Sequence, residues 1–380
     1  MKILHICIAS AFTEGMSYQD NLLSEQNLRD GHDVTVISDC HKFVQGRLVY
    51  TPPEDLILDN GLHLIRVEYK KIINNFVSSK IRCVPNLYDM ITKIGPEVIL
   101  FHGVAGWELI TVAKYKKNHP TISLYIDSHE DFNNSGTNFL SRVLLYRCFN
   151  RILTKKALQY TDKILYITYE SFQFLKKLYK VPDHKLEYYP LGGIIFGETN
   201  RVSIRKKIRK ELFIEDDEII LLHSGKMDKL KRTEDIIRAF HKTTDRKLNL
   251  ILIGSFEEEL KSNLEQLVQQ DNRIKFLGWK TANELLEYLC ACDLYVQPGS
   301  QSATMQNALC CGCAVAVYPY ISHKWLLNDH AFYIETVEDM ITLFNEIINN
   351  PNKLHDMQQK GFTLAKEVLD YKVLAKRLYN

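Results

Sequence analysis

Short apolar runs alternate with longer amphipathic stretches along the chain. In the first half the runs that predict strands are KILHICIA, DVTVIS, LHLIRV, VILFH, ISLYID and KILYIT. Helices are predicted between them at residues 18–29, 107–117, 139–159 and 169–180. Continuous Val, Ile and Leu runs separated by helices are typical of a parallel sheet that is covered on both faces. The pattern therefore predicts an α/β fold with a doubly wound sheet.

This alternation is interrupted at residues 188–210, YYPLGGIIFGETNRVSIRKKIRK, where prolines and glycines predict a link between domains. A second series of strands follows: EIILLHSG, LNLILIGS, IKFLGW, DLYVQPG and CAVAVY, with helices predicted at 232–241, 257–270, 282–291 and 302–311. We therefore predict two tandem Rossmann-like doubly wound domains, 1–195 and 196–365, that face each other across a cleft. Residues 366–380 are expected to form a helix that packs back toward the first domain.

Composition narrows the function classes. The chain has 380 residues, 46% hydrophobic and 25% charged, and its net charge of +2 gives no reason to expect a nucleic-acid partner. The nine cysteines lack Cys-x2-Cys spacing and predict buried free thiols rather than disulfides or zinc ligands. No apolar run approaches about 20 residues, and MKILHICIAS reads as a first buried strand rather than a signal peptide. We expect a cytoplasmic protein.

The segment LLHSGKMDKLKR carries the clearest candidate chemistry. A strand ends at a small turn with Gly225, and Lys226 and Lys231 follow in the loop before a helix. Two lysines five residues apart above a strand end can hold two phosphate groups as point charges. The alternative is an ordinary solvated basic loop, since Lys229 and Arg232 are charged too.

The motifs after this loop appear in a characteristic order. The pairs Gly225-Lys226 and Lys231-Arg232 are followed by LILIG, IKFLGW, ACDLYVQPGS and ALCCGCAVAV. In this order they resemble the retaining glycosyltransferases of family four, which have Gly-Arg, Lys-Gly, Phe-x-Gly, Ala-Asp-x-x-x-x-Pro-Ser and Ala-Met-Ala-Cys-Gly-x-Pro-Val. The first half is similar as well, in its opening strand and glycine loop, in GHDVTVIS, LYIDSHED, YTDKILYITYES and KLEYYPLGG. The resemblance implies the GT-B fold, with an acceptor-side first domain and a donor-side second domain.

The resemblance also implies roles for single residues. Lys226 and Lys231 would contact the donor pyrophosphate and stabilise the leaving nucleoside diphosphate. His129 in DSHED matches the histidine beside the transferred sugar; the alternative is a polar residue at a helix start. Gly15, with Met16, matches the glycine loop that closes over the donor, and a turn glycine is the alternative. Base recognition is expected through the backbone at Gly278, Trp279 and Lys280. His102, at another strand end, either lines the cleft or is a satisfied core histidine.

The stretch QPGSQSATMQNALCCGCAVAV departs from the family. The family has two glutamates with seven residues between them, and those positions here are Gly299 and Asn307. An amide at Asn307 can still bind two hydroxyls. The helix start supplies backbone N–H groups and hydroxyls for a phosphate; its residues are Gln301, Ser302, Ala303 and Thr304. Either the chain is a divergent enzyme with an altered sugar site, or it is a non-catalytic copy.

We therefore expect a transferase that moves a hexose or N-acetylhexosamine from a nucleotide-sugar, UDP-sugar favoured over GDP-sugar, to a glycan or lipid-linked acceptor in bacterial surface polysaccharide synthesis. No metal or other cofactor is expected, since the lysines and the helix start supply positive charge. Residues 69–82 and 201–210 mix basic and apolar side chains, which suits peripheral contact with the inner face of an anionic membrane, although a solvated helix face has the same pattern.

Two functions of other classes were weighed against the transferase. A dinucleotide-dependent oxidoreductase predicts Gly-x-Gly-x-x-Gly after the first strand, and the sequence there is IASAFTEG. A non-catalytic nucleotide- or glycan-binding partner of another glycosyltransferase is motivated by the two missing glutamates.

Overall fold

The computed structural model describes residues 1–44, 47–136, 138–139 and 141–379. They divide into two compact units: unit 1 is Met1–Pro190 together with the chain end from Leu374, and unit 2 is Leu191–Val373. The prediction had put the boundary between residues 195 and 196. Leu140, inside the predicted helix 139–159, lies outside the described residues.

Unit 1 is built on an eight-stranded sheet with strand order β10-β9-β8-β7-β1-β2-β6-β5. Its neighbours pair in parallel except β5, which is antiparallel to β6, while β3 and β4 form a separate antiparallel pair. The strands are Lys2–Cys7 (β1), Asp33–Asp39 (β2), His41–Val44 (β3), Arg47–Tyr50 (β4), Glu54–Ile57 (β5), His63–Val67 (β6), Val98–His102 (β7), Ser123–Ser128 (β8), Lys163–Tyr166 (β9) and Leu186–Tyr188 (β10). The six predicted strands of this half are all present.

Helices surround this sheet. They are Gln19–Arg29 (α1), Asn75–Ile81 (α2), Leu87–Ile94 (α3), Glu108–Asn118 (α4), Arg151–Ala157 (α5) and Tyr169–Phe174 (α6), with π-helical segments at Ser141–Asn150 and Leu175–Tyr179 and a 3₁₀ turn at Asp183–Lys185. The predicted helix 139–159 therefore begins as a π-helix and continues as α5. The core contains strand residues such as Leu4, Ile6 and Phe101, which are fully buried.

Unit 2 contains a six-stranded, all-parallel sheet with the order β13-β12-β11-β14-β15-β16. The strands are Ile219–Met227 (β11), Leu248–Phe256 (β12), Ile274–Phe276 (β13), Leu294–Gln297 (β14), Ala314–Val317 (β15) and Phe332–Tyr333 (β16). This is the strand order of a dinucleotide-binding Rossmann fold, in which ligands bind at the carboxyl ends of the strands where the order reverses. In unit 2 the reversal lies between β11 and β14.

The helices of unit 2 cover both faces of its sheet. They are Glu198–Leu212 (α7), Thr233–His241 (α8), Glu258–Gln269 (α9), Ala282–Ala291 (α10), Thr304–Cys310 (α11), Ile321–Leu327 (α12), Val337–Asn349 (α13) and Pro351–Leu364 (α14), with a 3₁₀ turn at Lys229–Lys231 and a π-helical segment at Ala365–Leu369. A last helix, Tyr371–Lys376 (α15), begins in unit 2 and ends in unit 1.

The predicted link at 188–210 is only partly correct, since its second half forms helix α7. Two arginines of the basic run of this helix pack against the rest of unit 2, while Lys206, Lys207 and Lys210 are exposed. Arg205 and Arg209 place guanidinium nitrogens 2.6 and 3.3 Å from the two carboxylate oxygens of Asp293, and Arg209 is 1% exposed. These two charges therefore hold α7 in place and are not available to a membrane surface.

All nine cysteines are unpaired. Seven are buried, as predicted, while Cys83 is half-buried and Cys148 is exposed. Within the described residues, no helix is both long and apolar enough to span a membrane.

Candidate functional site

The ends of β11 and β12 lie unusually close together because glycines face each other there. Gly225 and Gly254 are register partners, with φ of +126° and +142°. A Cβ atom at Gly254 would lie 1.9 Å from the carbonyl oxygen of Gly225. The pairing of the two strands therefore continues past the usual end of the sheet, to Met227 and Phe256.

The loop after β11 folds Lys231 back over Gly225. The Asp228 side chain caps the 3₁₀ turn by accepting the Lys231 backbone N–H at 3.0 Å. Lys231 Cε lies 3.6 Å from where a Cβ of Gly225 would be, and its Nζ donates to the Ser300 carbonyl oxygen at 3.5 Å. Because Gly225 lies among the last residues of β11 and Ser300 follows β14, the Lys231 ammonium lies at the reversal of the strand order.

Lys231 is a half-buried cation. Burial lowers the pKa of Lys231, and the nearby Asp228 carboxylate partly opposes this. A desolvated ammonium gains more from an anionic ligand than a solvated one does. Lys226, one residue past Gly225, is exposed to solvent on the same strand end. The two lysines thus present one exposed and one partly desolvated charge at a single edge of the sheet.

Gly299 has no room for a side chain. A Cβ atom there would lie 2.0 Å from the carbonyl oxygen of Leu230 and 2.7 Å from the carbonyl carbon of Lys231. Ser300 N donates to the same Leu230 oxygen at 2.8 Å. The turn that carries Lys231 therefore packs directly on the backbone where the resembled family has its first glutamate.

Arg232 fixes this turn from its other end. Its φ is +56°, a left-handed conformation, at the position where the resembled family has glycine. Its guanidinium donates to the carbonyl oxygens of Pro298 at 3.2 Å and Glu335 at 2.8 Å. Arg232 thus links the turn to the segment after β14 and acts in structure rather than as a free charge.

Asn307, at the position of the second missing glutamate, is half-buried in α11. Its Oδ1 lies 2.9 Å from where a Cβ of Gly193 would be. The Sγ of Cys310 lies 2.7 Å from the same point, so only glycine fits at position 193. Asn307 is therefore packed beside the first residues of unit 2, and no contact with the two lysines is observed.

The residues before α11 form a network of hydroxyl groups. Ser302 Oγ donates to Thr304 Oγ1 at 3.2 Å. The buried Tyr295 hydroxyl lies 3.4 Å from Ser224 Oγ and also interacts with Ser302 and Thr304. Burial raises the pKa of Tyr295 to about 12. The network joins the end of β11 to the start of α11, beside the exposed residues Gln301 and Ala303.

The three residues predicted for base recognition lie after β13. The Gly278 carbonyl accepts a hydrogen bond from Gly254 N at 2.9 Å, which puts it at the same edge of the sheet as Gly225. Trp279 is 71% exposed, and Lys280 Nζ lies 5.7 Å from the Tyr288 ring centre. The structure thus gathers Gly225, the two lysines and Gly278 at one edge.

In unit 1, Gly15 and Met16 lie in the turn that follows β1. Gly15 has φ +75° and is exposed, and Met16 N donates to the Thr13 carbonyl at 3.3 Å. Gly15 lines a pocket whose other walls are three apolar side chains and five carboxylate or amide side chains. Besides Gly15, the residues that line this pocket are Phe12, Glu14, Asn21, Glu25, Leu58, Asp59, Asn60 and Leu62. This lining is rich in hydrogen-bond acceptors, which suits hydroxyl groups better than phosphate.

His129 lies just beyond β8 at the outer end of a line of polar side chains. Its Nε2 is 3.7 Å from Asp127 Oδ2, and the same oxygen accepts from His102 Nδ1 at 2.6 Å. His102 Nε2 lies 3.1 Å from His5 Nδ1, and His5 Nε2 donates to Asn27 Oδ1 at 2.8 Å. The sequence left it open whether His102 lines a cleft or lies in the core. The structure shows His102 as a buried residue with a hydrogen-bond partner at each ring nitrogen, and Asp127 connects it to His129.

The hydrogen bonds of this line fix its protonation. His5 must donate to Asn27, so as a neutral ring it accepts from His102. His102 then donates at both nitrogens and is cationic. Burial opposes this charge, but the Asp127 carboxylate and the hydrogen bonds with Asp127 and Cys7 raise the pKa of His102 well above its ordinary value.

The pKa shifts of His5 and Asp127 are consistent with a cationic His102 beside an anionic Asp127. Burial and His102 lower the pKa of His5 to about 3. Burial opposes ionisation of Asp127, yet His102 and His129 hold the pKa of this carboxyl far below its usual range. Sequence reasoning missed Asp127, His5 and Asn27; the spacing Asp-x-His in DSHED was the available signal.

Glu130 is the next residue after His129 and was not singled out from the sequence. It is half-buried, and Tyr179 Oη donates to its Oε2 at 2.8 Å. Burial raises the pKa of Glu130 to about 7, against the effects of Tyr179, Arg82 and His129. Tyr179 ends a π-helical segment, a feature that is frequent at functional sites.

The chain was compared with known proteins. Residues 204–363, which lie within unit 2, match the family model described as Glycosyl transferases group 1. An uncharacterized glycosyltransferase of Methanocaldococcus jannaschii is 25% identical, over 64% of this chain and 74% of the relative.

Solved structures share the fold of the whole chain. Anabaena HepE in complex with UDP has a TM-score of 0.66 at 14% identity, covering 99% of this chain and 98% of HepE; its complex with UDP-glucose has a TM-score of 0.64. WaaG, a glycosyltransferase involved in lipopolysaccharide biosynthesis, has a TM-score of 0.63 at 13% identity, covering all of both chains. The two doubly wound units are those of the GT-B fold. Unit 2 carries a glycosyl transferases group 1 domain, and the protein is a glycosyltransferase.

Proposed function

We propose that this glycosyltransferase transfers a sugar from a nucleotide-sugar to a glycan or lipid-linked acceptor, with retention of anomeric configuration. The observation that supports it most is the position of Lys231, which spans Gly225 and Ser300 where the strand order of unit 2 reverses. A partly desolvated ammonium at that point suits a diphosphate. It would offset the negative charge that develops on the leaving nucleoside diphosphate.

The other predicted donor residues are proposed to act around this cation. Lys226 adds a second charge, and the segment from Gln301 to Thr304 offers backbone N–H groups and hydroxyls. Gly278, Trp279 and Lys280 are proposed to contact the base. UDP-sugar is favoured over GDP-sugar, and the UDP and UDP-glucose complexes of HepE support this choice.

We also propose that His129 acts on the transferred sugar and that no metal is needed, because the two lysines supply the charge that a divalent cation would supply. Among the described residues, no group of three His, Cys, Asp or Glu side chains could hold a metal ion. We propose bacterial surface polysaccharide as the product, which the lipopolysaccharide role of WaaG supports.

The alternative function is a non-catalytic nucleotide- or glycan-binding partner of another glycosyltransferase, because two glutamates of the resembled family are absent. The packing at Gly299 weakens this alternative. A glycine at position 299 lets the turn that carries Lys231 pack on the segment after β14. The absence of a glutamate there therefore fits an ordered site and does not require a loss of function.

The first test is thermal stabilisation without metal by UDP, GDP, ADP, dTDP and CMP. A ligand at about a hundredfold its dissociation constant adds about 2.7 kcal/mol to the free energy of unfolding. We expect a shift with UDP that is lost in Lys226→Ala/Lys231→Ala. Lys229→Ala is the matched control, since Lys229 lies in the same turn with its side chain 74% exposed. No shift with any nucleotide would contradict the proposal.

Sugar transfer is the second arm. Donor hydrolysis or transfer by the wild type that Lys231→Ala lacks would exclude the non-catalytic partner. If UDP binds and neither reaction occurs with any sugar donor tried, the partner function replaces the enzyme in this proposal.

We propose peripheral contact of unit 1 with an anionic membrane. The segment around α2 exposes Ile73 (85%) and Phe76 (71%) among the exposed lysines Lys70, Lys71 and Lys80. Apolar side chains within a basic surface suit an anionic bilayer.

This basic and apolar surface continues onto the helix that ends in α5. Trp107 N donates to the Ile81 carbonyl at 2.7 Å and Gly106 N to Asn150 Oδ1 at 3.4 Å, which joins α2 to that helix. Trp107 is 45% exposed. The helix adds further exposed apolar and basic side chains, namely Leu144, Arg147, Ile152, Lys155 and Lys156.

Cosedimentation with phosphatidylglycerol vesicles tests this surface. We expect Lys70→Glu/Lys71→Glu and Phe76→Ser to reduce binding, while Lys261→Glu, an exposed lysine of unit 2, leaves it unchanged. Equal binding by all variants, or equal binding to phosphatidylcholine vesicles, would contradict membrane contact through this surface.

A further inference from the structure

The line of side chains below His129 determines how its ring is turned. The ring directs Nε2 toward Asp127 Oδ2 at 3.7 Å, while the side chain is 44% exposed. The two nitrogens of an imidazole ring point in different directions. Because Nε2 faces Asp127, Nδ1 is the nitrogen that can contact a ligand. A carboxylate only accepts hydrogen bonds. The proton of a neutral His129 is therefore favoured on Nε2, which leaves a lone pair on Nδ1.

Asp127 is itself held firmly enough to impose this orientation. It is 1% exposed, its Oδ1 accepts the Gly103 backbone N–H at 2.9 Å, and its Oδ2 accepts His102 Nδ1 at 2.6 Å. Because His102 and Asp127 are register partners in adjacent parallel strands, the sheet fixes both side chains. The carboxylate cannot turn away without breaking these two hydrogen bonds.

The two histidines that face Asp127 both favour its ionised form. The cationic His102 lies on one side, with Cys7 and His5 beyond it. His129 lies on the other side, and Glu130, whose pKa is raised by burial, follows it in the chain. Burial raises the pKa of the Cys7 thiol to about 11, so it is uncharged at neutral pH. Asp127 is thus the anion that His129 meets.

We propose that Asp127 is a positioning residue that sets the tautomer of His129, so that neutral His129 presents Nδ1 as an acceptor to a sugar hydroxyl. The inference rests on the proposed function, because the sugar is the ligand that function supplies. It gives a requirement for the substrate: the group that meets His129 must carry an O–H or N–H donor. A donor sugar that lacks that hydroxyl would lose this hydrogen bond.

The test is NMR of the full-length protein with ¹⁵N-labelled histidine, with the His129 signals assigned by their loss in His129→Gln. For neutral His129 in the wild type, we expect the Nε2–H tautomer. In Asp127→Asn we expect a larger share of Nδ1–H, because the anion beside Nε2 is gone. Glu108→Gln is the control, since Glu108 is another buried carboxyl of unit 1 that accepts from Val84 N.

Two outcomes overturn the inference: an Nδ1–H tautomer in the wild type, or a share of Nδ1–H that is the same in folded Asp127→Asn as in the wild type. The first needs no variant, so a failure of Asp127→Asn to fold does not protect the inference. Stabilisation by UDP depends on Lys226 and Lys231 and is measured separately. Loss of UDP binding in the wild type would contradict the proposed function while the tautomer measurement still decides this inference.

Activity gives a second readout. With the sugar donor that supports transfer, we expect Asp127→Asn to lower kcat by about 10–100-fold with little change in stabilisation by UDP. A lowered kcat in a variant whose His129 tautomer has shifted, with UDP stabilisation retained, supports positioning. An unchanged kcat in a protein whose tautomer has shifted would separate His129 from the reaction and overturn the link to the sugar.

Discussion

Gly299 and Leu230 meet without space for a side chain: a Cβ atom at Gly299 would lie 2.0 Å from the Leu230 carbonyl oxygen. The contact joins the segment after β14 to the turn that positions Lys231. Restoring an acidic residue at position 299 would push this turn away rather than complete the site.

We therefore expect Gly299→Ala to lower the free energy of unfolding by about 1–3 kcal/mol through overpacking, and Gly299→Glu to abolish stabilisation by UDP. Gly197→Ala is the control, because a Cβ there meets nothing within 4 Å. Thermal melts with and without UDP measure both effects. A Gly299→Glu variant with wild-type stability and stronger UDP binding would contradict this account.

Lys231 and Lys229 lie in the same turn, but we expect their substitution to have different effects on sugar transfer. Lys231→Met should lower kcat/KM for sugar transfer by about 100-fold, because the site loses the partly desolvated charge that faces the leaving group. Lys229→Met should change it by less than about twofold, since that side chain is 74% exposed and its charge is screened. Steady-state kinetics at one ionic strength compare them. Equal losses would mean that only the net charge of the turn matters.

Glu130 is expected to make stability depend on pH. Its pKa is about 7 in the folded protein against an ordinary value of 4.5, so the folded state binds more protons between these values. The free energy of unfolding should then fall as pH rises from about 4.5 to about 7, by on the order of 3 kcal/mol from this group.

The difference in stability between wild type and Glu130→Gln isolates this effect, since glutamine can still accept from Tyr179. Urea melts across the pH range should show a difference that changes mainly between pH 4.5 and 7. A difference that is constant over this range would contradict the raised pKa.

Substitution of Arg209 tests whether the arginines of helix α7 hold it against the rest of unit 2. The Arg209 side chain is 1% exposed, meets Asp293 and donates to the carbonyl oxygens of Glu215 and Glu218. Arg209→Met leaves these part-buried acceptors without their donor, although Asp293 keeps Arg205, and should cost about 1–3 kcal/mol. Lys207→Met removes a neighbouring charge that is 57% exposed and paired with Glu287, and should cost less than about 0.5 kcal/mol. Denaturant unfolding of both variants measures the contrast. Similar losses would mean that Arg209 is not needed for packing.

The sequence predicted the sheets well because buried parallel strands are continuous apolar runs that differ from amphipathic helices. It missed strands such as Arg47–Tyr50, whose four residues are all exposed, because burial does not shape their pattern. Helix α7 fell within the predicted link because the proline and glycines before it dominated the pattern, while its basic run was expected at a membrane surface or on a solvated helix face. Only the tertiary structure shows that Asp293 neutralises Arg205 and Arg209.

The position of a candidate residue was predictable where it follows closely after a strand, as for Lys231, whose role stays a prediction. It was not predictable where the role depends on partners distant in sequence. His5, His102 and Asp127 are separated by 97 and 25 residues along the chain and meet only because β1, β7 and β8 are neighbours. The packing of Gly299 on Leu230 likewise spans two loops, which no local pattern reveals.

The residues that begin and end unit 2 are hydrogen-bonded to each other. Gly193 N donates to the Leu369 carbonyl at 2.9 Å, and Tyr371 N donates to the Gly193 carbonyl at 3.3 Å. The first and last residues of unit 2 therefore lie side by side. The described residues before and after this unit both belong to unit 1. A unit with this geometry can be exchanged between proteins as one continuous segment, so the residues around Lys231 could be replaced together without altering the sheet of unit 1.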